Sequence, residues 1–263
     1  MTEVLQKIAQ EVGMKHIDYE TSFWISGKEL PEDIKDNPAE KYFQPYGYIY
    51  GAFRFFFYGY GGLPTSREKF EKYKVVLMLR DPRDVLTSLY FSTAYSHYIP
   101  ETYQLEMLAA RNKAVNTPID DYVLDEEQEW IYQVYESYCQ KCLNQPNVLF
   151  LRYEDMVDNF EKWLNTLLNW LDLEVSPFFF NDLLKNANFE VTENIYEHKR
   201  QVKPGDHRRK LKVSTIRKLN KKYSIILQTL CYVIKMQKED LELSQLLLQK
   251  SSEKLIKTSE LLL

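Results

Sequence analysis

Five consecutive apolar residues, Val75 to Leu79, run straight into Arg80-Asp81-Pro82-Arg83-Asp84, and this junction constrains the fold more than any other stretch. A run that is apolar at every position and contains β-branched valines suits a strand covered on both faces, as in a parallel α/β sheet. Asp81 is a good N-cap, and Pro82 suits the first helical position, where its missing N–H leaves nothing unpaired. Arg80 is therefore expected at the carboxyl end of a strand beside a helix N-terminus. Open α/β sheets bind ligands there, and the backbone N–H groups favour anions. The same residues also read as an ordinary helix start with a surface salt-bridge network among Arg83, Asp84 and Asp81.

The spelling from Arg80 to Val85, with Ser88 eight residues after Arg80, closely resembles the 3′-phosphate-binding motif of sulfotransferases that use 3′-phosphoadenosine 5′-phosphosulfate (PAPS). The resemblance implies that Arg80 and Ser88 both hold the cofactor's 3′-phosphate. Arginine gives a planar, permanently charged fork and serine an adjustable hydroxyl donor, so the pair suits that task. Asn147 to Asp155 is again an apolar strand ending in polar residues, and it resembles the family's L-x-Y-E-D element. That likeness implies that Tyr153 contacts the adenine end. Arg200 to His207 resembles the R-K-G-x-x-G-D-W loop, whose arginine and backbone grip the 3′-phosphate. Arg200, Gly205 and Asp206 match it, whereas Gln201, Val202 and His207 depart from the family's lysine, glycine and tryptophan. Ala187-Asn188-Phe189-Glu190 resembles the T-S-F-E stretch, with Phe189 offering a ring against adenine; a core phenylalanine is the other reading.

Sulfotransferases open with a strand and a P-K-S-G-T-T-W loop that cradles the 5′-phosphosulfate as a P-loop cradles nucleotide phosphates. This sequence begins instead with apolar residues at 4, 5, 8 and 12 and a glycine at 13, an amphipathic pattern resembling the helix that follows that loop. The expected fold is α/β, a P-loop-NTPase-like, mostly parallel sheet with helices on both faces and with the first strand and loop missing. A central strand buries side chains worth roughly 1.5–3 kcal/mol each. Net stability is only ~5–15 kcal/mol. Residues 1–263 alone are therefore expected to be marginally stable and without useful turnover, and an upstream strand and loop to restore both.

The sequence, 263 residues with 44% hydrophobic content, suffices for one large core, and no Pro/Gly/Ser-rich linker divides it. Residues 1–263 read as a single sulfotransferase-like domain, with about 236–263 a helical C-terminal extension. Leucines at 241, 248, 255 and 262 carry a heptad spacing there, but Ser244, Ser251 and Thr258 occupy the companion positions, so packing on its own domain is expected over a coiled coil. A net charge of −4 supplies no general attraction for nucleic acid, so an anion site must be local. Cys139 and Cys142 form a lone C-x-x-C without nearby histidines to complete a zinc site, and no metal is expected. Three cysteines without a framework suit a reducing cytosol, and a cytoplasmic location is expected. No apolar run reaches the length of about 18 residues that a membrane span requires.

The coarse pattern predicts helices over 2–12, 82–94, 125–144, 156–172, 177–186 and 213–235, and strands near 15–19, 46–52, 75–79 and 147–152. A substrate-side excursion covers 95–124. Aromatic residues crowd 42–63, either walling a pocket for an apolar or ring-bearing acceptor or filling core around a strand. Glycines at 59, 61 and 62 suggest that Tyr58–Gly62 bends toward a site. By resemblance, the catalytic histidine of small-molecule sulfotransferases falls in this region, yet Tyr48 to Arg54 contains none. Arg54 supplies charge but is a poor base, since arginine stays protonated. Among the histidines His97, in the acceptor-side segment, is the remaining candidate, with a packing role as its alternative, and a carboxylate base, as some sulfotransferase subfamilies use, is also open. The leading function is transfer of the sulfuryl group of PAPS to the hydroxyl or amine of a small-molecule acceptor. A degenerate protein that binds 3′-phosphoadenosine without turnover and a small-molecule kinase of the P-loop class are the alternatives.

Overall fold

Val75–Leu79 forms the strand its apolar run calls for and pairs in parallel with Val148–Arg152, Val75 opposite Val148 through Leu79 opposite Arg152. The structure, a computed structural model, describes residues 2–18, 44, 46–51, 53, 70–187, 189, 194–196 and 202–232. In chain order its strands and α-helices are α1 (Thr2–Glu11), β1 (Lys15–Ile17), β2 (Tyr48–Tyr50), β3 (Val75–Leu79), α2 (Pro82–Phe91), α3 (Gln104–Val115), α4 (Ile119–Tyr122), α5 (Glu129–Lys141), β4 (Val148–Arg152), α6 (Tyr153–Asp158), α7 (Phe160–Leu171), α8 (Pro177–Asn186), α9 (Asp206–Lys210), α10 (Val213–Lys222) and α11 (Ser224–Thr229). A second parallel pair joins β1 to β2, with α1 lying against both. None of the described helices is long and apolar enough to cross a membrane.

The period-2 alternation of side chains, with both faces covered, explains why β3 is apolar throughout and β4 is apolar up to its closing Arg152. Val75, Leu77, Leu79, Val148 and Phe150 face a core built with Leu86 and Tyr90 of α2, Ile131, Tyr135 and Tyr138 of α5, and Leu219 of α10. Val76, Met78, Leu149 and Leu151 face the other way, onto Leu5 and Ile8 of α1 and Trp163, Leu164, Leu167 and Leu168 of α7. The parallel pair is thus sandwiched between two layers of helices, which is the α/β arrangement its sequence predicts.

Three elements differ from the pattern-based expectation. The helix expected over 156–172 is two helices, because Asn159 leaves helical geometry and caps α7 by accepting from the Lys162 N–H at 3.0 Å. The helix expected over 213–235 breaks at Tyr223, which is 1% exposed; the break lets Leu219, Ile226, Leu227 and Leu230 all reach the same core. Third, α2 does not continue regularly to residue 94. After Phe91 the chain widens by one residue, and the His97 N–H donates to the Ser92 carbonyl at 2.7 Å. Arg111 holds this wide turn by donating from Nε to the Thr93 carbonyl (3.2 Å) and from Nη2 to the His97 carbonyl (2.5 Å).

Candidate anion site at the carboxyl ends of the parallel strands

Asp81 caps α2 as its residue type predicts, its side chain accepting from the Arg83 N–H at 2.9 Å, with Pro82 in the first turn. Glu154, just past β4, completes the cap from a neighbouring strand. Its Oε1 accepts the Asp81 N–H at 2.9 Å and its Oε2 the Tyr232 hydroxyl at 2.7 Å. Burial raises the Glu154 carboxyl above the usual range, and the Asp81 and Tyr232 hydrogen bonds oppose that rise. The Y-E-D element therefore closes the helix start, a role its sequence did not disclose.

Arg80 leaves the carboxyl end of β3. The Tyr135 hydroxyl fixes its carbonyl at 2.6 Å, and its guanidinium carbon lies 4.8 Å from the centre of the Tyr153 ring, within cation–π range. Nη2 stands 3.9 Å from Asp84 Oδ2, while Nε is buried without a hydrogen-bond partner among the described residues. The Tyr153 hydroxyl donates to the Val202 carbonyl at 2.9 Å, tying the end of β4 to the segment that leads into α9. Arg80, Tyr153 and the 202–207 segment, assigned to one ligand from three separate stretches, are brought together.

Asp84 is the residue that sequence reasoning undervalued. It is 1% exposed, not part of a solvated surface network. Oδ1 accepts the His207 N–H at 2.9 Å and contacts His207 Nδ1 at 2.5 Å, and Oδ2 accepts the Gly205 N–H at 2.6 Å. Gly205 sits at φ +84°, in the left-handed region that favours glycine, and this turns its N–H onto the carboxylate. Burial opposes ionisation of Asp84, but the His207 hydrogen bonds and charge, with Arg80, overcome it and bring its pKa down to about 2. A carboxyl depressed in the folded state adds stability above its unfolded pKa, near 4, and that stability is lost as pH falls through about 2. The contribution is roughly 2–3 kcal/mol at neutral pH. Urea unfolding of the wild type and Asp84→Asn should show a stability gap that narrows between about pH 4 and pH 2. A gap independent of pH contradicts this assignment.

The other expected site residues are placed as follows. Ser88 is exposed on α2, one turn beyond Asp84, so Asp84 and Ser88 share one helical face, while Arg80 precedes the cap. Phe189 packs edge-on against Phe160 at 5.6 Å in the core layer that also includes Tyr153. His97 lies beyond the opposite end of α2 from Arg80, a helix about 15 Å long; its Nδ1 is 3.0 Å from the Ser92 hydroxyl oxygen. Arg54, Arg200, the stretch Tyr58–Gly62 and the 236–263 extension lie outside the described residues, as does most of the 42–63 aromatic region. Within that region Tyr48 and Tyr50 stack at 5.7 Å on β2. Burial pushes the Cys139 and Cys142 thiols up to about 11, with Glu136 adding at Cys139 and each opposing reactivity.

A model of the sulfotransferase domain family matches residues 61–229. Sulfotransferase 1E1 of Bos taurus is 26% identical over 121 residues, which is 46% of this chain and 38% of that protein. The chain thus spans less than half the length of this curated relative. Among solved structures, mouse sulfotransferase SULT7A1 complexed with PAP is similar with a TM-score of 0.49 and 18% identity, over 86% of this chain and 79% of that one. Retinol dehydratase in complex with androsterone and inactive cofactor PAP is similar with a TM-score of 0.41 and 16% identity, over 75% of this chain and 57% of that one.

Proposed function

Because this chain belongs to the sulfotransferase domain family, we propose that the cluster at the ends of β3 and β4 binds the 3′-phosphoadenosine end of PAPS, and that the protein sulfates a hydroxyl or amine of a small-molecule acceptor. The observation that carries this reading is the Arg80 guanidinium. It sits beside the N-terminus of α2 over the Tyr153 ring, with a buried Nε that has no hydrogen-bond partner among the described residues. Such a fork and a helix N-terminus suit a dianionic phosphate, the chemistry that the spelling of residues 80–88 implies. Arg80, Ser88 and Arg200 would hold the 3′-phosphate, and Tyr153 with Phe189 would flank adenine.

When bound, PAPS supplies an activated sulfuryl group whose leaving group is 3′,5′-adenosine bisphosphate. The chain's own residues contribute position and charge: the bisphosphate end is fixed at Arg80, which orients the donor for in-line attack by an acceptor. His97, beyond the far end of α2, is the proposed base toward the acceptor, and Arg54 a proposed source of positive charge. The test is label transfer from PAPS carrying radioactive sulfur to a panel of phenols, alcohols and amines by the full gene product. Labelled acceptor is expected. Tight binding of 3′,5′-adenosine bisphosphate without label transfer assigns the non-enzymatic reading, and phosphorylation of an acceptor from ATP assigns the kinase.

A further inference from the structure

We propose that Asp84 and His207 form a positioning pair: by latching the Gly205–His207 turn onto α2, they hold the Arg80 guanidinium in the orientation that grips a ribose 3′-phosphate. This inference rests on the assignment of Arg80 to that phosphate and names what aims it.

One buried carboxylate serves both partners. Asp84 Oδ1 receives two contacts from His207, the backbone N–H at 2.9 Å and Nδ1 at 2.5 Å. Oδ2 receives the Gly205 N–H at 2.6 Å and faces Arg80 Nη2 at 3.9 Å. An ionised carboxylate only accepts hydrogen bonds, so the imidazole proton must lie on Nδ1. The His207 side chain is 2% exposed and that of Asp84 1%, so water does not compete for these bonds. Among the described residues Arg80 has few other restraints on its charged end: the guanidinium lies over the Tyr153 ring, Tyr135 holds only the backbone carbonyl, and Nε makes no hydrogen bond. Asp84, in the first turn of α2, is a carboxylate paired with it at 3.9 Å.

The histidine matters in its own right. Where the resembling loop carries tryptophan, the indole places carbon at the position of Nδ1, so the side-chain bond to Asp84 is supplied here by the substitution itself. Two backbone N–H groups would tether the turn without it. The third donor fixes the remaining lone pair of Oδ1 and keeps Oδ2 directed at Gly205 and Arg80. Asp84 and His207 touch no ligand in this account; they act through Arg80.

The readout is nucleotide selectivity, the ratio of calorimetric dissociation constants for 5′-AMP and 3′,5′-adenosine bisphosphate. A pair that only stabilised the fold would lower thermal stability and weaken both nucleotides together, leaving the ratio unchanged. The expected result is a fall in selectivity of tenfold or more in both Asp84→Asn and His207→Phe. His207→Asn, whose amide nitrogen restores a donor near Nδ1, should retain it. Unaltered selectivity in folded Asp84→Asn or His207→Phe overturns the positioning role while leaving the phosphate site standing. Absence of selectivity in the wild type overturns the site reading and this inference with it. A measurement on the unaltered protein guards against variants that do not fold: nitrogen-15 NMR of His207 should find the proton on Nδ1, and an unprotonated Nδ1 overturns the pair.

Discussion

Replacing Arg80 by alanine is expected to raise the dissociation constant for 3′,5′-adenosine bisphosphate by about 10²–10⁴ while leaving that for 5′-AMP within a few fold. A hydrogen bond to a charged group contributes roughly 1.5–3 kcal/mol, and a guanidinium gripping phosphate makes two, which gives ~3–6 kcal/mol. Each 1.4 kcal/mol is about tenfold in affinity. Ser88→Ala removes one such bond and should cost about 10–100-fold. The position of Arg80 favours the larger figure, since its side chain is 16% exposed and rests against an aromatic face, away from competition with water. Calorimetry with both nucleotides checks this. An equal loss for the two ligands would show that Arg80 supports the local fold and does not read the 3′-phosphate.

The largest stability effect is expected one turn away, at Arg83. This residue is 2% exposed, and its side chain is consumed by internal partners. Its Nε and Nη2 reach the two oxygens of Asp81 at 2.9 and 2.5 Å, and Nη1 reaches Asn220 Oδ1 at 2.6 Å. Arg83→Met fills a similar volume but leaves the carboxylate of Asp81, a residue 5% exposed, without its buried partner. Breaking a buried ion pair from one side costs about 3–5 kcal/mol, against a net stability of ~5–15 kcal/mol. With a urea dependence of ~1–3 kcal/mol per molar, the unfolding midpoint should fall by more than about 1 M. A surface pair would cost only ~0–1 kcal/mol. A midpoint unchanged within error would therefore place Arg83 and Asp81 in that weaker class.

Arg83 and Asp84 also show where the sequence stopped being legible. The junction at Asp81 and Pro82 was readable because its rules are local: an apolar run, a capping side chain and a proline with no N–H to lose. Both β3 and β4 were readable because burial on two faces leaves no polar position before the Arg152 that closes β4. The charged residues after the cap were ambiguous, since helical spacing says which side chains share a face but not what covers that face. Asp84 is buried because Gly205 and His207, far along the chain, close over it. The only trace of this in the sequence was its spacing of four from Arg80. Tyr223 failed for a related reason: neither glycine nor proline marks the break between α10 and α11, which is imposed by the core that both helices share. Asn159, by contrast, was a missed local signal, an N-cap residue type in a stretch read as continuous helix.

The central claim, that the ends of β3 and β4 form a site for a ribose 3′-phosphate, is tested most directly by titrating the unmodified chain with 3′,5′-adenosine bisphosphate and with 5′-AMP in the calorimeter at one ionic strength. The two ligands differ only in the group assigned to Arg80 and Ser88. The expected result is tighter binding of the bisphosphate by about a hundredfold or more, the equivalent of at least two charge-assisted hydrogen bonds. Equal affinity for the two nucleotides would contradict the assignment.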